Sequence, residues 1–216
     1  MDTPIITKLA HKVILSTGWS RSFLAMFSGA CGALALSPIN ALPAVIVSIV
    51  VAVWLIDGCT GEGLGKTGTR IPSMIVAAKI GWWFGIGYFV TGLWWLGAAF
   101  LVEGDKFAWA LPLGVIGLPA GLALFFALGF FLSRMLWSSG TGRIFAMATG
   151  LGLSEWLRGI VLTGFPWNDL GMVLGGNLIF GQVGAIAGLH GLTFLTIAIA
   201  AAPATLINKV EPADQK

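Results

Sequence analysis

The chain has 216 residues, 57% of them hydrophobic and only 10% charged, with a formal net charge of +3. Soluble domains carry about 25% charged residues, and so few charges cannot cover a water-facing surface. The twelve Lys and Arg are dispersed between apolar runs rather than gathered on one face, which excludes a nucleic-acid partner.

In chain order, the apolar runs predict six membrane-spanning helices at 22–39, 41–56, 80–102, 107–133, 144–164 and 178–207. Runs of roughly 20 apolar residues are what about 30 Å of hydrocarbon requires. The break at Ser37-Pro38-Ile39-Asn40 reads as a tight turn, so the first two spans form a helical hairpin. Pro112 and Pro119 should disturb the fourth span, because each removes a backbone donor. The fourth and sixth runs exceed one bilayer thickness and imply tilt or protruding ends. The fold class is therefore all-α: a polytopic transmembrane helix bundle of about six spans. It divides into an N-terminal segment at 1–20, a helical membrane domain at 21–208 and a tail at 209–216.

Orientation follows from the cations. With both termini cytoplasmic, that side receives Lys8, Lys12, Arg21, Lys66, Arg70, Lys79, Arg134, Arg143, Lys209 and Lys216, ten of the twelve. Lys106 falls outside and Arg158 lies within the fifth span. The opposite orientation would invert the positive-inside bias.

Several motifs invite chemistry and do not support it. Gly58 to Thr67 is glycine-rich and ends Gly-Lys-Thr, but Thr60 stands where a phosphate loop needs its first glycine, and a membrane helix precedes it. Ser28-Gly29-Ala30-Cys31 resembles a lipoprotein signal but lacks the aliphatic residue three before the cysteine. The only cysteines, Cys31 and Cys59, give neither a disulfide framework nor metal-ligand spacing. His190 lies within the sixth run with no second ligand at suitable spacing, so neither a metal nor another cofactor is expected. Gly81/Gly85, Gly117/Gly121 and Gly184/Gly188 are candidate helix-packing pairs. Trp82 and Trp83 suit the inner interface, and Trp94 and Trp95 the outer one.

Glu155 and Arg158 share a helix face and lie beyond the membrane midplane. Ionisable groups there face the bundle interior and pair. They are read either as an ion pair that locks the bundle or as a polar lining for a headgroup or substrate. Phe165-Pro166-Trp167-Asn168 forms a corner at the outer end of the same helix, placed to meet a lipid entering sideways. The candidate lipid or substrate site is Glu155, Arg158, Phe165, Pro166, Trp167, Asn168, Trp94 and Trp95.

Glu155-Trp156-Leu157-Arg158-Gly159, followed by Leu162-Thr163-Gly164-Phe165-Pro166-Trp167-Asn168, resembles the signature of the apolipoprotein N-acyltransferase family. Segments at 29–38, 81–90, 92–95, 117–125 and 188–195 agree with that family in order, so the resemblance covers about residues 20–207. It implies a multi-pass protein of the bacterial inner membrane. It also implies transfer of a fatty acyl chain from a membrane phospholipid to the N-terminal amine of a diacylglyceryl-cysteine lipoprotein. The family's cysteine nucleophile, lysine and glutamate base reside in a nitrilase-like domain, and this sequence ends at Lys216 before any such domain. Neither cysteine here corresponds to that nucleophile, so no catalytic residue carries over. The expectation is a membrane domain, truncated or split from its catalytic part and inactive alone, whose lipoprotein substrate would require that part. The competing reading is a non-enzymatic scaffold or lipid-binding partner. A transporter is disfavoured, because neither broken helices nor internal repeats are evident in the sequence.

Overall fold

The computed structural model describes residues 5–59, 71–102, 104–138 and 140–206. Lys66, Arg70, Lys209, Lys216, the 209–216 tail and most of the glycine-rich 58–67 stretch lie outside these residues. Among the described residues there is no strand. The principal helices are α1 (Ile5–Ile14), α2 (Gly18–Ala33), α3 (Leu42–Asp57), α4 (Ile71–Gly92), α5 (Leu96–Leu101), α6 (Gly104–Phe107), α7 (Leu118–Met135), α8 (Gly142–Arg158), α9 (Met172–Gly175) and α10 (Leu178–Ala201). Three helical stretches are long and apolar enough to cross a membrane: Ile71–Gly92, Gly104–Met135 and Leu178–Leu206. Their 22, 32 and 29 residues each exceed the ~30 Å of hydrocarbon at ~1.5 Å per residue.

Helices α2, α4, α7, α8, α10 and α3 pack in that order into a ring, which closes where α10 meets α3. Its interior is aromatic and aliphatic, with Phe84, Tyr88, Phe89, Phe126 and Phe130 fully buried and in mutual ring contact. Outward positions such as Phe27, Val47, Leu124 and Phe145 are large, apolar and exposed, the opposite of a soluble bundle and suited to lipid. The hairpin predicted around Pro38 is present. It is cross-linked by a reciprocal pair: Ser28 Oγ donates to Ser48 O at 2.9 Å and Ser48 Oγ donates to Ser28 O at 2.7 Å.

Close approach between α2 and α4 rests on two glycines. A Cβ on Gly29 would overlap the Phe84 carbonyl oxygen, and one on Gly87 would overlap that of Met26. The predicted Gly81/Gly85 pair serves the same purpose against α7, where a Cβ on Gly81 would lie 2.5 Å from Phe126 O. The other two predicted pairs do not. Gly121 and Gly188 have open space beside them, because those faces point away from any neighbouring backbone.

Details of three predicted spans emerge only in the structure. The third span runs Ile71–Gly92 rather than 80–102, and the chain then turns through Trp94 and Trp95 into the short helix α5. Trp82 therefore sits mid-helix, where its Nε1 donates to Ala120 O at 3.1 Å, instead of at the inner interface. The fourth span contains a turn of π-helix at Leu113–Gly117, between the two prolines that were expected to disturb it. The sixth span is broken at Gly188, whose φ of 67° and ψ of −175° suit glycine. Beyond that break, the Leu178–Ala187 half carries exposed Leu178, Ile179 and Ile186, while the other half buries Leu192, Thr193, Thr196 and Ile197.

At one end of the ring, three arginines converge on the C-terminus of α3. Arg143 pairs with Asp57 at 2.5 Å, Arg134 donates to Cys59 O at 2.8 Å and Arg21 donates to Gly58 O at 3.0 Å. Trp137 Nε1 adds a bond to Asp57 at 3.0 Å. Helix C-termini carry unsatisfied carbonyls and partial negative charge, so cations are stabilising there.

Candidate functional site

The opposite end holds the predicted site residues, and the structure brings most of them together. Helix α8 ends at Arg158, six residues short of the predicted boundary at 164, because the chain folds back on it. The Phe165 backbone N–H donates to Arg158 O at 3.0 Å. Between them Leu162, Thr163 and Gly164 have φ of 53°, 74° and 84°, three consecutive residues in the left-handed region. Only Gly164 adopts it without strain, and for a branched residue such as Thr163 the cost is of order 1–3 kcal/mol. A backbone this unfavourable persists only when its surroundings hold it.

Arg158 supplies much of that hold. Its Nε and Nη2 donate to the two Glu155 carboxylate oxygens at 2.9 and 2.7 Å, and both side chains are fully buried. Its Nη1 donates to the carbonyls of Phe165 and Trp167, the latter at 2.9 Å. The guanidinium also lies 5.2 Å from the centre of the Phe89 ring. The planar, forked guanidinium thus joins its own helix to two carbonyls of the returning chain.

Further ties come from residues that sequence reasoning did not assign. Tyr88 Oη donates to Asn168 O at 3.0 Å. Asp169 is buried and accepts from the Gly171 N–H at 2.7 Å and from the Thr193 hydroxyl. The 165–171 segment is therefore fastened to α4, α8 and α10 at once. A tyrosine in the middle of an aromatic run gave no sign that its hydroxyl would be used this way. Asp169, a carboxylate next to the corner, was the signal available.

What remains exposed at this corner is apolar. Trp167 packs against Trp95 with ring centres 5.6 Å apart. Pro166 and Trp94 are exposed beside them, and Leu162 is 92% exposed. Phe165 instead packs half-buried against the core. The eight predicted residues thus divide into a buried clamp, Glu155 and Arg158, and a surface formed by Pro166, Trp167, Trp94 and Trp95, with Phe165 and Asn168 between them. A separate open groove of about 390 Å³ lies between α8 and α10, lined by Ala148, Thr149, Gly152, Leu153, Trp156, His190 and Phe194.

Neither cysteine is arranged as a nucleophile. Cys59 is buried just past the end of α3, with its Sγ 3.4 Å from Leu55 O. Burial pushes its thiol up to about 11, against the opposing pull of Arg21 and Arg134. Cys31 lies in α2 with its Sγ 3.7 Å from Ala44 O. Among the described residues no three His, Cys, Asp or Glu side chains converge as metal ligands.

Residues 28–202 match the family model described as the apolipoprotein N-acyltransferase N-terminal domain. The chain belongs to the apolipoprotein N-acyltransferase family. It is 49% identical over 204 residues to the apolipoprotein N-acyltransferase of Rhodopseudomonas palustris, covering 94% of this chain and 37% of that protein. The apolipoprotein N-acyltransferases of Brucella suis and Agrobacterium fabrum are each 48% identical over 202 residues, covering 94% of this chain and 37% and 38% of theirs. The chain thus spans a little over a third of the length of these curated relatives. The clamp, the strained turn and the Trp95–Trp167 contact all lie inside the matched segment.

Proposed function

We propose that this chain forms the membrane domain of an apolipoprotein N-acyltransferase of the bacterial inner membrane. It crosses six times with both ends cytoplasmic. Its role is to hold the outer corner at Pro166, Trp167, Trp94 and Trp95 as a rigid aromatic platform, on which phospholipid and the lipoprotein's lipid anchor enter from the bilayer. The carrying observation is the buried Glu155–Arg158 clamp, which spends all its charge on its own chain and leaves an apolar surface outward. A buried, fully bonded ion pair suits fixing a backbone better than binding a headgroup. Acyl transfer through a cysteine thioester needs an activated thiolate with a base in reach, and neither thiol described here has one. The chemistry then belongs to residues beyond this platform, and the domain by itself does not turn over.

The test is a chimera in which this chain replaces the matched 204 residues of the Rhodopseudomonas palustris relative. We expect phospholipid-dependent acylation of a diacylated lipopeptide by the chimera and none by this chain alone. A chimera that inserts and folds yet transfers no acyl chain would favour the scaffold reading, as would turnover by neither protein. Turnover by this chain alone would refute the assignment of the chemistry elsewhere.

A further inference from the structure

Helix α1 (Ile5–Ile14) precedes the segment matched by the family model and has three distinct faces. At ~100° per residue, Ala10 and Ile14 share one face, and Ala10 is fully buried where α1 packs on α3. Ile5, Ile6 and Leu9 fall in the next sector and are 78%, 62% and 55% exposed. Lys8 and Lys12, one turn apart and both exposed, fall beyond Ile5 on the side away from the bundle. A helix in water would not leave three large aliphatics uncovered beside two cations, whereas a helix lying in a bilayer interface has this pattern.

Its height relative to the bundle is fixed. Arg21 Nε donates to Ser16 O at 2.6 Å, and Nη2 reaches both Ile14 O at 3.5 Å and Gly58 O at 3.0 Å. A Cβ on Gly58 would overlap the Ile14 carbonyl oxygen, so α1 and the end of α3 are in backbone contact. That is the end where the three arginines gather. Exposed Trp19 and Phe23 continue the apolar surface from α1 onto α2. Interfacial depth, aliphatic sector and lysine pair therefore coincide at one level of the molecule.

We propose that α1 is an interfacial anchor that binds anionic phospholipid headgroups through Lys8 and Lys12 while Ile5, Ile6 and Leu9 enter the acyl boundary. The test uses the full chain in vesicles, carrying Leu9→Cys labelled with a fluorophore and Cys31→Ala to remove the half-buried thiol. Brominated phosphatidylglycerol and brominated phosphatidylcholine serve as quenchers. We expect both lipids to quench the label and aqueous iodide to leave it bright. Phosphatidylglycerol should be preferred by roughly fivefold per lysine, and Lys8→Gln with Lys12→Gln should abolish the preference while chain quenching persists. A label quenched by iodide and not by brominated chains would overturn the interfacial placement. An equal preference with and without the lysines would overturn the headgroup contact. Neither result bears on acyl transfer, so this inference fails or stands separately from the proposed function.

Discussion

Arg158 makes four charge-assisted hydrogen bonds from a fully buried position, two to Glu155 and two to carbonyls of the returning chain. Removing one member of such a pair strands the other, at about 3–5 kcal/mol, whereas replacing both with neutral groups costs less. Arg158→Met and Glu155→Gln should therefore each lower thermal stability in detergent strongly, and the double variant should lose less than the sum. Strictly additive losses would show that the two side chains act separately. Cys59 permits a second test at this scale. Its thiol is pushed from the ordinary 9.0 to about 11 by burial, so at neutral pH it is protonated as well as covered. In the folded chain, maleimide labelling of Cys59, followed by peptide mass spectrometry, should be negligible at pH 7 and climb about tenfold per pH unit up to that value. The unfolded thiol ionises first, so this group also favours unfolding increasingly above pH 9. Rapid labelling at pH 7 would contradict the buried position.

Helices in this bundle meet through small residues, and the structure separates glycines that matter from those that do not. Gly87→Ala places a methyl on the Met26 carbonyl oxygen, whereas Gly121→Ala places one in open space. The first should force α2 and α4 apart and lower the melting temperature, and the second should be neutral. Equal melting temperatures for the two variants would show that the α2–α4 contact is not close-packed. Sequence spacing alone did not make this distinction. Gly81/Gly85 and Gly117/Gly121 have the same four-residue period, but only the neighbouring helix decides which face is used. Hydropathy marked the three helices long and apolar enough to cross a membrane, yet it placed the third predicted span nine residues late, because Trp94 to Leu101 is as apolar as the helix before it. The break at Gly188 was equally hidden, since glycine is common in membrane helices and the run through it remains apolar. Glu155 and Arg158 were legible for the opposite reason: charge inside an apolar helix has few explanations.

At the scale of the whole molecule, three described arginines sort to one end of the bundle, whereas Lys79, assigned to the cytoplasmic side with a third span at 80–102, lies within the Ile71–Gly92 helix. Arg21, Arg134 and Arg143 sit together at one end, and Glu155, Arg158 and the tryptophan corner sit at the other. If the cationic end is cytoplasmic, a membrane-impermeant maleimide applied to intact cells should label Lys106→Cys and Leu162→Cys. It should reach Ser138→Cys only after permeabilisation, with Cys31→Ala as the background. The reversed pattern would invert the proposed topology. The arginine cluster also bears on how the chain is made. Helix α3 has only 16 residues, and two of the three arginines at its end arrive late: Arg134 lies 75 residues after Cys59, and Arg143 lies 86 residues after Asp57. While the ribosome is still producing α4 to α7, Arg21 is the one member of the trio already made, so it can meet Gly58 O while Asp57 still lacks its cation. The ion pair at Asp57 can therefore close only once α8 emerges, and a chain halted before Arg143 carries that carboxylate without its arginine.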